Sequence, residues 1–225
     1  LQWLQYSGAI WYPMVYEMPD EEMRTLVDAK VDSQLARAMR YVESVDARAV
    51  VPSAGPPCFL DPDLFHLNIV KGDELSIFCD QRTFMARLEA SGHRGVLAIP
   101  GTAIEVTPTS IEVVHPGGDA AVDAIFEDKA TYLRDYQRDW LPWLDEMKAS
   151  WPQTADTELL PVLQQWWEPL LRIAPTVREA IGANCLLRAG DLEILIDFPA
   201  AEVRAYVHIF GKYNDRGIYL VHIVF

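Results

Sequence analysis

The sequence predicts an α/β protein: a strand–helix–strand first half, then a mainly helical region with a β-hairpin. Three observations carry this. Two strand-like apolar segments flank a long amphipathic helix within the first fifty-odd residues. A Pro–Gly break, Pro116-Gly117-Gly118-Asp119, interrupts the pattern. Helical periodicity then dominates as far as Ile181. The expected domains are therefore residues 1–118 and 119–225.

Residues 1–6 read as a buried strand, followed by a loop from Ser7 to Pro13. Pro19-Asp20-Glu21-Glu22 opens a helix, with Asp20 as N-cap and acids in the first turn. Its apolar stripe is Met23, Val27, Val31, Leu35, Ala38, Val42 and Val45, so one side packs on a sheet. Ala47 to Ala54 is short and β-branched, the second strand of a βαβ crossover.

Thr83 to Ala90 reads as a helix ending at Gly92, and Val96-Leu97-Ala98-Ile99 as a strand before the turn Pro100-Gly101. Ala103–Val106 and Ile111–Val114 flank Thr107-Pro108-Thr109-Ser110 as a hairpin. Beyond the break, Asp119 to Trp151 reads as one long helix containing Pro142. Leu159 to Ile173 and Pro175 to Ile181 follow as helices. Cys185–Ala189 and Leu192–Asp197 form a hairpin around Gly190-Asp191, whose turn chemistry is favourable. No element is assigned between Pro199 and Gly217. Leu1 and the closing Gly217-to-Phe225 segment are both apolar and strand-like, so the chain is expected to be a piece of a longer protein.

Composition excludes several classes. A formal charge of −14 repels nucleic acid and anionic membranes, and basic residues are scattered singly. No run of apolar residues is long enough to span a bilayer. Three cysteines, odd in number and far apart, argue against a disulfide framework and for a reducing cytoplasm.

The most informative stretch runs from Val50 to Asn68, where a strand empties into a Pro-rich loop carrying a thiol, two carboxylates and an imidazole. Such strand ends are where α/β proteins place sites. Asp61, Asp63 and His66 are of metal-ligand type, and Asp61 with His66 would be the pair to hold an ion. The Asp61-Pro62-Asp63 spacing equally suits capping of a short helix after it. No cation neighbours Cys58 in sequence, so a small buried thiol is the simpler reading than a nucleophile. Ser7-Gly8-Ala9 and Ser53-Ala54-Gly55 each follow a strand; Ser7 and Ser53 could touch a ligand, or the small residues could serve packing. Neither matches a nucleophile elbow, a dinucleotide fingerprint or a P-loop. Trp140, Trp143, Trp151, Trp166 and Trp167 crowd the helical region as core, as a surface for another domain, or as an apolar pocket.

The segments Tyr6 to Met14, Pro52 to Asp61 and Ile99-Pro100-Gly101-Thr102 together resemble one group. It is that of the metallo-β-lactamase-fold proteins carrying a Rieske 2Fe–2S domain, and more distantly the CMP-N-acetylneuraminate hydroxylases. The resemblance covers roughly residues 1–200. It implies that this chain is the second half of an αββα sandwich plus a helical region. The first half, with a His-x-His-x-Asp-His metal motif, and the Rieske ligands Cys-x-His and Cys-x-x-His would lie outside it. A 2Fe–2S cluster and zinc or iron are thus implied for the full-length family, with the missing half and the Rieske domain as partners of this chain. One departure stands out: the family's late metal-binding His has no counterpart at Pro52-Ser53-Ala54-Gly55.

The expected function is a fragment of a Rieske-linked oxidoreductase acting on a small molecule, inactive alone. Ser7, Ser53, Cys58, Asp61, Asp63 and His66 would line its pocket. The alternatives are a metal-dependent hydrolase fragment and a non-catalytic module enclosing an apolar ligand.

Overall fold

The computed structural model describes residues 1–8, 10–72, 74–151, 156–189, 192–206 and 218–223. In chain order its elements are β1 (Gln2–Gln5), β2 (Tyr16–Glu17), α1 (Asp20–Val45), β3 (Val50–Ser53), α2 (Gln81–Ala90), β4 (Ala103–Val106) and β5 (Ile111–Val114). There follow α3 (Asp119–Glu127), α4 (Lys129–Ser150), α5 (Asp156–Ile173), α6 (Pro175–Ile181), β6 (Asn184–Ala189), β7 (Leu192–Asp197), β8 (Glu202–Ala205) and β9 (Ile218–Ile223). The chain divides into two units: Leu1–Ile10 with Asp20–Ala149, and Trp11–Pro19 with Ser150–Phe225. The boundary expected at residue 118 falls inside the first unit, which keeps α3 and α4.

In the first unit, β1 and β3 pair in parallel with Gln2 opposite Val50, and α1 makes the crossover between them. The helix buries Met23, Val27, Leu35, Ala38 and Val42 as its stripe predicts, and also Gln34 and Met39. Val31 is only half-buried and Val45, in the last turn, is exposed. Tyr6, Leu35, Val42, Val50, Phe84 and Leu88 lie in one core cluster. There the Tyr6 ring stacks on Phe84 at 5.2 Å and 3°, and its hydroxyl donates to the Cys79 carbonyl at 3.2 Å. Burial pushes the Tyr6 phenol pKa well above its ordinary value.

The expected strand Val96–Ile99 is reduced to one parallel bridge, Val50 with Gly95. Past Val96 the backbone instead closes a turn: Thr102 N–H donates to Ile99 O, with Gly101 at φ +88°. The left-handed φ there is what glycine permits. The hairpin β4–β5 forms over the expected residues, and Arg48 spans its turn with bonds to the carbonyls of Thr107, Pro108 and Ser110. The single helix expected from Asp119 is broken at Asp128 (φ −121°, ψ 57°), whose carboxylate accepts from Thr131 N–H to start α4. Asp80 does the same for α2 through Thr83, and the helix begins at Gln81, two residues upstream of the expected start.

The second unit is more than a hairpin. Its five strands run β2-β9-β6-β7-β8, with β6 and β9 parallel and the other pairs antiparallel. The Gly190-Asp191 turn lies outside the described residues. Leu163, Trp167 and Leu171 of α5 pack against Leu187, Ile194, Ile196 and Val203 of the sheet. Gly182, at φ +57°, ends α6 as its left-handed cap.

Phe84 is fully buried and stacked, so Phe84→Ala should cost about 3–5 kcal/mol in urea unfolding of the whole chain. A loss under about 1 kcal/mol would mean that this core is not as packed as described.

Candidate functional site

The parallel pair β1–β3 delivers two loops to one edge, since both strands run the same way and end together at Gln5 and Ser53. Ser7 and Gly55 meet there. A Cβ on Gly55 would lie 2.6 Å from Ser7 Cβ, closer than any real contact. Only glycine fits beneath Ser7, and the preceding Ala54 holds a left-handed φ of +52°. Ser7 is 2% exposed and its Oγ has no hydrogen-bond partner, while Ser53 is half-buried at the rim.

Sequence reasoning missed Gln34. It sits on the buried stripe of α1, where a polar residue breaks the apolar period; that irregularity was the available signal. Its Oε1 accepts the Gly8 N–H at 2.9 Å, tying the first loop to the helix, and its Nε2 is buried without a partner. Ser7 and Gln34 thus bring unpaired polar atoms to this strand edge, a costly state in a protein interior.

The loop after β3 is held chiefly by Asn68, another residue not picked out from sequence. Its side chain accepts from Phe59 N–H at 3.0 Å and donates to the carbonyls of Phe59 (2.8 Å) and Phe65 (2.9 Å). Ser76 Oγ donates to Leu67 O and Gln137 to Leu60 O, fastening the loop from two further sides. Asp61 does not cap a helix. Its carboxylate accepts the Asp63 N–H at 3.0 Å in a local turn and pairs with Lys148 of α4 at 2.5 Å. Burial would raise the Asp61 pKa, but the Lys148 ammonium and the Asp63 amide outweigh it and hold the carboxyl below its usual range. Asp63 and His66 are exposed, and His66 lies in the 3-10 turn Phe65–Leu67.

Cys58 is exposed at the loop surface, beside a cavity of about 60 Å³ bordered by Asn68, Phe78, Lys129 and Leu133. That is room for a water or two. Burial of the sulfur raises its pKa and the Lys129 charge only partly draws it back. Burial likewise pushes the thiols of Cys79 and Cys185 up to about 11. None of the three is poised as a thiolate at neutral pH.

Metal and cluster chemistry meet a poor fit. Among the described residues no group of three or more His, Cys, Asp or Glu side chains could hold a metal ion. A 2Fe–2S centre needs four ligands gathered at one point. Here Cys79 is in the first unit and Cys185 in the second, and all three thiols are free.

The tryptophans separate into two kinds. Trp167 belongs to the core of the second unit, while Trp140, Trp143, Trp151 and Trp166 are exposed. On α4, Tyr132, Tyr136, Trp140 and Trp143 form a ladder of rings 5.7–6.3 Å apart, all open to solvent.

Two outcomes test this geometry. Gly55→Ala should be strongly destabilising in thermal unfolding, and Ser7→Gly in the same chain should recover most of the loss, because the clash is with Ser7 Cβ. An independent loss with no recovery would show that the loops do not meet there. The second concerns pH. With Asp61 depressed and Lys148 raised, their pairing stabilises between the two altered pKa values. It is lost as pH falls through the folded value of Asp61, and again as pH rises through that of Lys148. Urea midpoints measured from neutral pH to about pH 3 should fall less steeply for Asp61→Asn than for the parent; identical slopes would refute the pairing.

Comparison with known proteins places these features. Residues 159–214 match the model of the Rv3818-like, SCP2-like domain. Proteins named for a Rieske 2Fe–2S iron–sulfur centre in Mycobacterium tuberculosis strains CDC 1551 and H37Rv are each 42% identical over 204 residues. A Mycolicibacterium smegmatis protein named in the same way is 39% identical over 208 residues. Each alignment takes in 89% of this chain but only 40% of the relative, so the chain spans about two fifths of their length. No solved structure matches the chain. By sequence, then, this chain is similar to a two-fifths share of mycobacterial proteins named for a Rieske centre, and its second unit overlaps the SCP2-like part.

Proposed function

We propose that this chain is the cluster-free portion of a Rieske-linked oxidoreductase. In this reading its first unit is the second half of a metallo-β-lactamase-like sandwich, and its second an SCP2-like unit. The observation that carries it is the identity of 42% sustained over 204 residues to proteins named for a Rieske centre. The geometry supports it from another side. Parallel strands are ordinarily buried on both faces. Here β1 pairs only with β3 among the described residues, and its Trp3 stands 60% exposed on the outer face. An open edge and a bare tryptophan suit a strand that other parts of a longer sandwich would cover.

The strand-end edge with Ser7, Ser53 and Gly55 would then contribute part of the substrate pocket, with Gln34 as its support. Asp61 serves the loop through Lys148, and His66 is left at the surface as a substrate contact. The cluster would be bound elsewhere, since among the described residues no group of three or more His, Cys, Asp or Glu side chains could hold a metal ion. Zinc or iron, if the parent holds one, would likewise take its ligands from outside these residues.

The test is to read the locus on both sides of this coding segment and to produce the whole polypeptide. The expected result is a Cys-x-His and Cys-x-x-His pair in the added sequence. Iron and sulfide should then be bound in equal amounts by the whole protein and not by the 225-residue chain. A whole polypeptide without those ligands, or without iron, overturns the assignment. An added His-x-His-x-Asp-His motif with zinc and no cluster would move it to the hydrolases.

A further inference from the structure

The exposed flank of α4 repeats a pairing that the first unit already uses elsewhere. On α3, Asp123 and Phe126 stand one helical turn apart and together hold one arginine. Arg82 of α2 lies over the Phe126 ring, 4.4 Å from its centre, and pairs with the Asp123 carboxylate. A flat guanidinium can do both at once, stacking on a ring while its edge donates to a carboxylate.

On α4 the same ingredients recur with no cation between them. Tyr132, Tyr136, Trp140 and Trp143 follow one another at helical spacing and are between 38 and 50% exposed. Asp139 lies three residues after Tyr136 and four before Trp143, and Glu146 lies three after Trp143. Both carboxylates are exposed, and among the described residues neither has an ion-pair partner. Asp135, by contrast, is paired with Arg138 at 2.8 Å. Among the described residues no cation is seated over any of the four rings. The strip is also not what holds α4 in place. Leu133 is buried, Gln137 donates to Leu60 O, and Lys148 pairs with Asp61. Anchored from that other flank, the helix presents its rings and acids already in position.

We infer that the Tyr136–Trp143 stretch of α4 docks an arginine-bearing segment of a separate protein. The Arg82 seat on α3 shows which side chain an acid and a ring one turn apart accept. Lysine is a poorer fit, since its compact ammonium cannot stack flat and pair along an edge together. Charge agrees with composition. The chain carries −14, which steers a basic partner towards it. Exposed Trp and Tyr are the residues on which protein contacts concentrate their binding energy. The inference goes beyond the proposed function and does not depend on any cluster or substrate.

The experiment titrates the full chain into two fluorescein-labelled Gly–Ser peptides, one bearing spaced arginines and the other lysines at the same places. Anisotropy is read at near-physiological salt, which screens non-specific attraction. The arginine peptide should bind at least about fivefold more tightly than its lysine twin. Trp140→Ala with Trp143→Ala should weaken arginine-peptide binding at least about tenfold, and Asp139→Asn about threefold. Glu21→Gln with Glu22→Gln, which removes charge from the exposed start of α1, should leave it unchanged. Circular dichroism checks each fold, and Asp139→Asn, a change at an exposed position, decides alone if the tryptophan variant does not fold. No binding of the arginine peptide, equal affinity for both peptides, or full binding by Asp139→Asn would each overturn the inference. So would a concentration-dependent dimer in sedimentation velocity that Asp139→Asn weakens, since a second copy would then be what covers the strip.

Discussion

The first unit depends on the two-sided pairing of β3. Val50 is fully buried, gives its N–H to Arg94 O at 2.9 Å and accepts the Val96 N–H at 2.8 Å. The neighbouring peptide groups turn the other way, where Ala49 O takes the Gln2 N–H and β1 runs alongside in register. A strand paired on both sides cannot slip by one residue without sending Val51 and Val50 to the wrong faces. With β3 fixed, so is the point at which its chain leaves the sheet. The Ser53–Ala54–Gly55 turn therefore meets the Ser7 loop at one defined place. The candidate site inherits its geometry from this ladder, to which the Gly8 N–H bond to Gln34 Oε1 adds a tie to α1.

The loop that follows shows a division of labour between its polar residues. Side chains of the type that does chemistry, Asp61 and His66, prove either to be committed to structure or to lie at the surface. Asn68, whose amide has no obvious chemistry, makes three bonds to the backbone and closes the loop. An amide can do this because it offers a donor and an acceptor at once, which a carboxylate cannot. Asp61 instead reaches outward to the last turns of α4, a position where the charge of Lys148 costs little to hold. Loop rigidity and loop chemistry are thus carried by different residues. What remains unspent near the strand ends is the buried Ser7 hydroxyl and the Gln34 amide.

Sequence periodicity made the local elements legible. The stripe of α1, the β4–β5 hairpin, and the β6–β7 strands each follow from spacing within a short window. It failed where long-range pairing or a lone side chain decides. Val96 to Ile99 has strand composition, yet only Gly95 finds a partner, because the hydrogen bonds past Val96 go into the Thr102 turn. At Asp128 no Pro or Gly announces a break; a carboxylate switching from helix interior to cap makes it. The five-stranded sheet could not be foreseen, since β2 is two residues long and joins β9 some two hundred positions later. By sequence Ser7 suits either packing or ligand contact. Its contact with Gly55 is one of packing, and its hydroxyl is buried without a hydrogen-bond partner.

The same physical terms explain why redox chemistry, if the parent performs it, is assigned outside these residues. Burial raises the pKa of all three thiols, so none is a ready thiolate at neutral pH, and among the described residues no group of three or more His, Cys, Asp or Glu side chains could hold a metal ion. Surfaces and strand edges are what the chain does offer in abundance. The ring ladder of α4 and the outer face of α5 are runs of exposed apolar side chains, whereas Trp3 on β1 is a single one. They differ in chemistry: a lone indole beside an open strand edge, an aromatic strip, and an aliphatic one.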